Sequence, residues 1–180
     1  MESFIASLLG ALIGGFLALI GVYFSHRLEL SRQRQQERQM LRAFLQAILA
    51  ELETCWNRAQ VTVNPIIENH PDNQPFESEI FIETDFFTVY HNNSNMLGRI
   101  NDDQLRQMIV ATYTRYKALV ETYNSNTRYI RQWKSSGTDY HRQQALGWTI
   151  ALKNDHKQLK KEIEALLPVL RNAAELTVAS

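Results

Sequence analysis

The chain has 180 residues, 44% hydrophobic and 21% charged, with 19 Lys and Arg balancing 19 Asp and Glu, proportions of roughly one folded domain and not of a disordered tail. Its one cysteine, Cys55, excludes an intrachain disulfide framework and a cysteine-based zinc ribbon. The zero net charge hides a segregation: residues 66–103 carry one base against eight acids, and residues 104–180 carry twelve bases against six acids.

From Phe4 to Phe24 there are 21 residues without a charge, with Ser7 and Tyr23 the only polar side chains. At 1.5 Å rise per residue a helix of this length covers the roughly 30 Å hydrocarbon core of a bilayer, so the spacing predicts a transmembrane helix. A cleaved signal peptide needs a basic start and a shorter apolar run. Here Glu2 precedes the run and no Lys or Arg does. Arg27, Arg32, Arg34, Arg38 and Arg42 follow it, against Glu29 and Glu37. That asymmetry predicts an N-terminus outside and a C-terminal domain in the cytoplasm, in the inner (plasma) membrane.

Within the span, Ser7, Ala11, Gly14, Ala18 and Gly21 repeat at alternating spacings of four and three, and Ala6, Gly10, Gly14 and Ala18 form a second ridge. Lipid gives helices no hydrophobic reason to associate, so a smooth face that lets backbones approach closely is what predicts self-association.

Between Gly21 and Pro65 neither glycine nor proline interrupts the sequence, and the helix is expected to continue beyond the bilayer. Residues 31–39 are polar all round. Leu41, Leu45, Ile48, Leu52, Cys55 and Ala59, widened by Phe44, Leu49 and Trp56, then form a core-facing stripe. Pro65, Pro71 and Pro75 mark an acidic loop over 61–79. Ile80–Ile82 admits a strand, while Thr84 and Asp85 read as the start of a short helix over 85–97, frayed at Asn92–Asn95 and closed by Gly98.

Asn101 is the expected cap of the next helix, with Gln104 completing a capping box. Leu105, Ile109, Thr112, Tyr116, Leu119 and Tyr123 set its buried face, extended by Ile130 and Trp133. Ser135–Gly137 break it and Thr138 or Asp139 restarts it. Leu146, Thr149, Ile150, His156, Leu159, Ile163, Leu166 and Leu170 define a last amphipathic helix that Pro168 kinks or ends. The predicted fold is all-α: an anchor at 1–25, a polar juxtamembrane helix at 26–40, a cytoplasmic antiparallel bundle at 41–171 and a tail at 172–180.

No nucleophile elbow, dinucleotide fingerprint or phosphate-binding loop occurs. His26, His70, His91, His141 and His156 lack metal-ligand spacing, so no metal and no cofactor is expected. Glu77, Glu79, Glu83 and Asp85 read as a solvated acidic face. Lys153, Lys157, Lys160 and Lys161 share a basic helix. With the domain near neutral, however, nucleic acid is not an expected partner, and pairing with the acidic 66–103 segment, within a chain or between chains, is.

The chain is therefore read as a non-enzymatic single-pass membrane protein with the lipid bilayer, other copies of itself and a protein or ligand at the cytoplasmic bundle as partners. The alternative is a membrane-perturbing, pore-forming effector of a bacterial antiphage or stress response. A membrane-tethered enzyme is a third class without a motif to carry it.

Overall fold

The computed structural model describes residues 2–78 and 87–176, with side chains described for 19–78 and 87–175. The described elements are all helical: α1 Glu2–Thr62, α2 Asn64–Glu68, α3 Thr88–Asn92, a 3-10 helix Ser94–Arg99, α4 Asp103–Ser136 and α5 Asp139–Leu176. The strand considered at Ile80–Ile82 and the helix start at Thr84 and Asp85 lie outside the described residues. The chain divides into two compact units, Met1–Met40 and Leu41–Ser180.

In the first unit every described side chain, 19–40, is exposed. These include Leu19 (70% accessible), Val22, Phe24 and Leu28. Among the described residues no helix is long and apolar enough to cross a membrane. Of the expected span, residues 4–18 lie outside those whose side chains are described.

In the second unit α1 turns its apolar stripe inward: Leu45, Ile48 and Leu52 are buried, with Phe44 and Trp56 beside them. α4 and α5 form an antiparallel hairpin. Gly137 ends α4 in the left-handed region (φ 64°), its N–H bonded to the Trp133 carbonyl at 2.8 Å, a helix stop that glycine adopts without a Cβ penalty. Thr138 then receives the His141 N–H on its hydroxyl, and α5 begins. Glu51 of α1 accepts from the Tyr113 hydroxyl near the start of α4, while Glu53 pairs with Arg171 near the end of α5. Further along, Trp56, Ala59 and Val63 line one cavity with Tyr116, Leu119 and Tyr123, and Trp56 lies against His156, so here α1 runs parallel to α4 and antiparallel to α5. The long 63–102 connection allows this, because it carries the chain back along the bundle before α4 starts.

Several boundaries differ from the sequence reading. Asp102, and not Asn101, caps α4: its Oδ1 accepts the Gln104 and Leu105 N–H groups at 2.9 and 3.0 Å. The expected single helix over 85–97 is instead α3 followed by a 3-10 turn that contains Gly98. Its first turn is capped from a distance, since Glu51 Oε1 accepts the Val89 N–H at 2.8 Å and Oε2 the Tyr90 N–H at 3.3 Å. Pro168 does not end α5, which continues to Leu176 and takes in the start of the expected tail. Burial of Leu166, Leu170 and Ala174 on both sides of the proline keeps that stretch in register.

The α5 stripe is also shifted. Ala145, Thr149, Leu152, His156, Leu159, Ile163, Leu166 and Leu170 are buried, whereas Ile150 is 48% exposed. One residue is about 100° around a helix, so a face that holds Thr149 and Leu152 leaves Ile150 at its edge. Leu45→Asp and Ile163→Asp are each expected to cost several kcal/mol by placing an unpaired charge in the core, while Ile150→Asp stays within about 0.5 kcal/mol. Thermal unfolding followed by circular dichroism separates the three. A Leu45 or Ile163 variant melting with the parent would contradict the packing described.

Candidate functional site

The small-residue series predicted to join helices falls largely outside the description: Ser7, Ala11, Gly14 and Ala18 have no described side-chain surroundings. Gly21 is exposed, and a Cβ placed on it would meet nothing within 4 Å. Arg27, Arg32, Arg34 and Arg38 are exposed, and the Arg27 guanidinium lies 5.5 Å from the Tyr23 ring centre. Arg42 is half-buried where the second unit begins. Among the described residues no group of three or more His, Cys, Asp or Glu is gathered to hold a metal ion. Cys55 is half-buried, and that burial raises its thiol pKa, with Glu51 adding to the shift and Arg58 opposing it. The thiolate form is thus disfavoured.

The described residues concentrate buried polar chemistry elsewhere, where α1 gives out and α4 and α5 continue. Val63 leads from α1 into α2, and the segment 63–78, called the strap below, lies along the α4–α5 hairpin. Its contacts climb one face of α5. Lys160 Nζ donates to Glu68 at 2.8 Å. His156 Nε2–H donates to Asn64 Oδ1 at 2.9 Å, and Lys153 donates to the His70 carbonyl at 2.7 Å and to the Asp72 carboxylate. Thr149 Oγ1 accepts the Phe76 N–H at 2.8 Å. Positions 149, 153, 156 and 160 follow the helical repeat, so one ridge of α5 meets the whole strap.

The Phe76 contact is the most completely buried of these. Thr149 takes its N–H, and Asn126 Nδ2 on α4 donates to its carbonyl at 2.8 Å. The Thr149 hydroxyl is itself 3.0 Å from the Ala145 carbonyl and 3.3 Å from Asn126 Oδ1. The Phe76 side chain is buried with the His70 ring edge-on at 5.2 Å, and Pro75 before it is buried too. Two side chains thereby satisfy both backbone groups of one residue away from water, where leaving either unmade would cost roughly 1–3 kcal/mol.

Nearer the end of α1 lies a cavity of about 70 Å³, walled by Trp56, Val63 and Asn64 together with Tyr123, His156 and Leu159. The walls are mainly apolar. The Tyr123 hydroxyl is buried with no hydrogen-bond partner among the described residues. Burial raises the pKa of Tyr123, with Tyr116 adding to it. For His156 burial works the other way, disfavouring the imidazolium and lowering its pKa from the ordinary 6.5. The Glu68 carboxylate opposes that shift and Lys160 reinforces it.

The acidic and basic segments do pair within one chain, through Asp72 with Lys153, Glu68 with Lys160 and Glu77 with Lys134 at 3.6 Å. His156 is a satisfied buried histidine, as its place on the α5 stripe suggested. Asn64, Phe76 and Asn126 were not singled out by sequence. The available signal was Asn126, a polar residue three positions after Tyr123 on an apolar stripe that resumes at Ile130.

No family model, curated protein or solved structure matches the chain.

A pH dependence follows from His156. Its native pKa lies below 6.5, so between that value and about 6.5 the unfolded chain holds a proton that the native chain lacks, and stability falls as the pH is lowered through this window. The melting temperature should drop between about pH 7.5 and about pH 5.5. His156→Gln, which still donates to Asn64 but does not titrate, should flatten that part of the curve. An unchanged slope would assign the titration to another group. Glu68 and Asp72, whose pKa values Lys160 and Lys153 hold below the usual carboxylate range, lose their contribution only at lower pH, below about 4.

Proposed function

We propose that this chain is a non-enzymatic single-pass membrane protein that self-associates through residues 4–24 and presents a cytoplasmic helical domain for binding a partner. One observation carries the reading: a single helix, α1, holds the 21-residue uncharged run, and its described part leaves Leu19, Ile20, Val22, Phe24, Leu28 and Leu30 without cover. A contiguous apolar surface of this kind is costly in water and is ordinary in lipid. Arg27, Arg32, Arg34 and Arg38 sit at the exit of the run, where the positive-inside preference keeps the following domain in the cytoplasm. Absence of a nucleotide, metal or nucleophile motif, together with a site built from backbone hydrogen bonds and ion pairs, supports binding over catalysis.

Two experiments test this. A phosphatase reporter fused after Ser180 should be inactive while a cytosolic fluorescent reporter works, and strong phosphatase activity would reverse the topology. Gly14 belongs to both small-residue ridges, so Gly14→Ile should weaken self-association in a membrane two-hybrid assay, whereas Phe16→Ile on the far side should not. Equal association of wild type and both variants would reduce the run to a plain anchor.

A further inference from the structure

We propose that the groove between α4 and α5 occupied by residues 70–78 is a docking site for a partner protein's extended acidic segment carrying a Pro-Phe pair, and that the strap is a resident occupant which such a partner displaces. The groove has the parts of a peptide-recognition site. Asn126 and Thr149 read the carbonyl and N–H of one residue, which fixes register without reference to sequence. The buried seats of Pro75 and Phe76 add side-chain selection. Lys153 from α5 and Lys134 from α4 meet Asp72 and Glu77, selecting an acidic ligand.

The strap is seated at its start by α2, whose Ile67 is buried in the core, whereas residues 70–78 beyond it are held at few points. Asp72 is 86% and Glu77 59% exposed, and exposed ion pairs choose a partner more than they hold one. At its start the strap has the Asn64–His156 hydrogen bond over a cavity of about 70 Å³, so the seam beneath it is incompletely packed. The Phe76 seat is then the main attachment. It is made of two backbone groups that any extended peptide offers, an N–H and a carbonyl, and of an aromatic ring that only a suitable sequence supplies.

A second copy is the weaker candidate as occupant. The strap is tied at one end to α1 and at the other to the chain leading into α3 and α4, so its exchange between copies requires releasing both ends. A partner with an accessible extended segment needs only to outcompete a tethered one, whose effective concentration is on the order of millimolar.

This inference rests on the reading of the bundle as a partner-binding domain, but its test does not involve anchor association or membrane orientation. The probe is a fluorescein-labelled peptide of the sequence of residues 70–78, His-Pro-Asp-Asn-Gln-Pro-Phe-Glu-Ser, titrated by anisotropy with the full chain in detergent. Wild type should bind it weakly. Phe76→Ala, which empties the aromatic seat, and Asn64→Ala, which loosens the strap without touching the groove, should each bind it at least about tenfold more tightly, as expected when a tethered competitor is weakened. Binding to Phe76→Ala should be lost when the peptide's own Phe is replaced by Ala or when Asn126→Ala is added.

Circular dichroism identifies which variants remain helical and cooperative, and a folded Phe76→Ala or Asn64→Ala chain that binds no more tightly than wild type overturns the proposal. Capture of the wild-type chain by Phe76→Ala without binding of the peptide would mean strap exchange between copies and would overturn it equally.

Discussion

α1 stops at Thr62 while the α4–α5 hairpin runs on past it, and this mismatch in length is the constraint to which the rest of the second unit answers. Beyond the end of α1 the hairpin presents a face that a helix would ordinarily cover, and that face contains Asn126 and Thr149. Two polar side chains in a core are tolerable only if something pairs with them. An α-helix could not do so, because its own backbone groups are already bonded to one another. An extended residue has both its N–H and its carbonyl to offer, and Phe76 supplies them. The buried polar pair therefore specifies an extended segment at that position, and Pro71 and Pro75 just before Phe76 agree with it.

The same logic recurs at the other end of the connection. Glu51 sits on α1 facing the start of α3, where its carboxylate accepts two backbone N–H groups and the Tyr113 hydroxyl. Charge-assisted bonds of this kind are stronger than neutral ones. Desolvation and the hydrogen bond to Glu51 both hold the Tyr113 phenol well above its ordinary pKa, so it remains a donor. The connection between α1 and α4 is thus pinned by side chains of the long helices at both of its described ends, by Thr149 and Asn126 at one and by Glu51 at the other.

Within α1 two kinds of surface follow each other on one helix. Residues from Leu41 onward place Leu45, Ile48 and Leu52 in the core, whereas Leu19, Val22 and Phe24 are exposed. Burying an apolar side chain of this size is worth about 1.5–3 kcal/mol, so the second stretch stabilises the bundle and the first one asks for another solvent or another helix.

Periodicity alone settled the helical class, the buried stripes of α1 and α4 and the hairpin at Gly137, because these depend on spacing and on backbone chemistry local to a few residues. The charge segregation between 66–103 and 104–180 pointed to pairing of the acidic segment with the basic helix but left open whether within a chain or between chains, and the structure places Asp72 with Lys153 and Glu68 with Lys160 in one chain. Local signals were less able to place the cap on Asp102, to carry α5 past Pro168, or to separate Ile150 from the buried Leu152, since each depends on which neighbour occupies the adjacent face. The parallel course of α1 and α4, the seat of Phe76 and the Asn64–His156 bond were decided by tertiary structure. Each joins residues far apart in sequence, 92 positions in the case of Asn64 and His156, and no local pattern of spacing encodes which distant backbone group a buried amide or hydroxyl will meet.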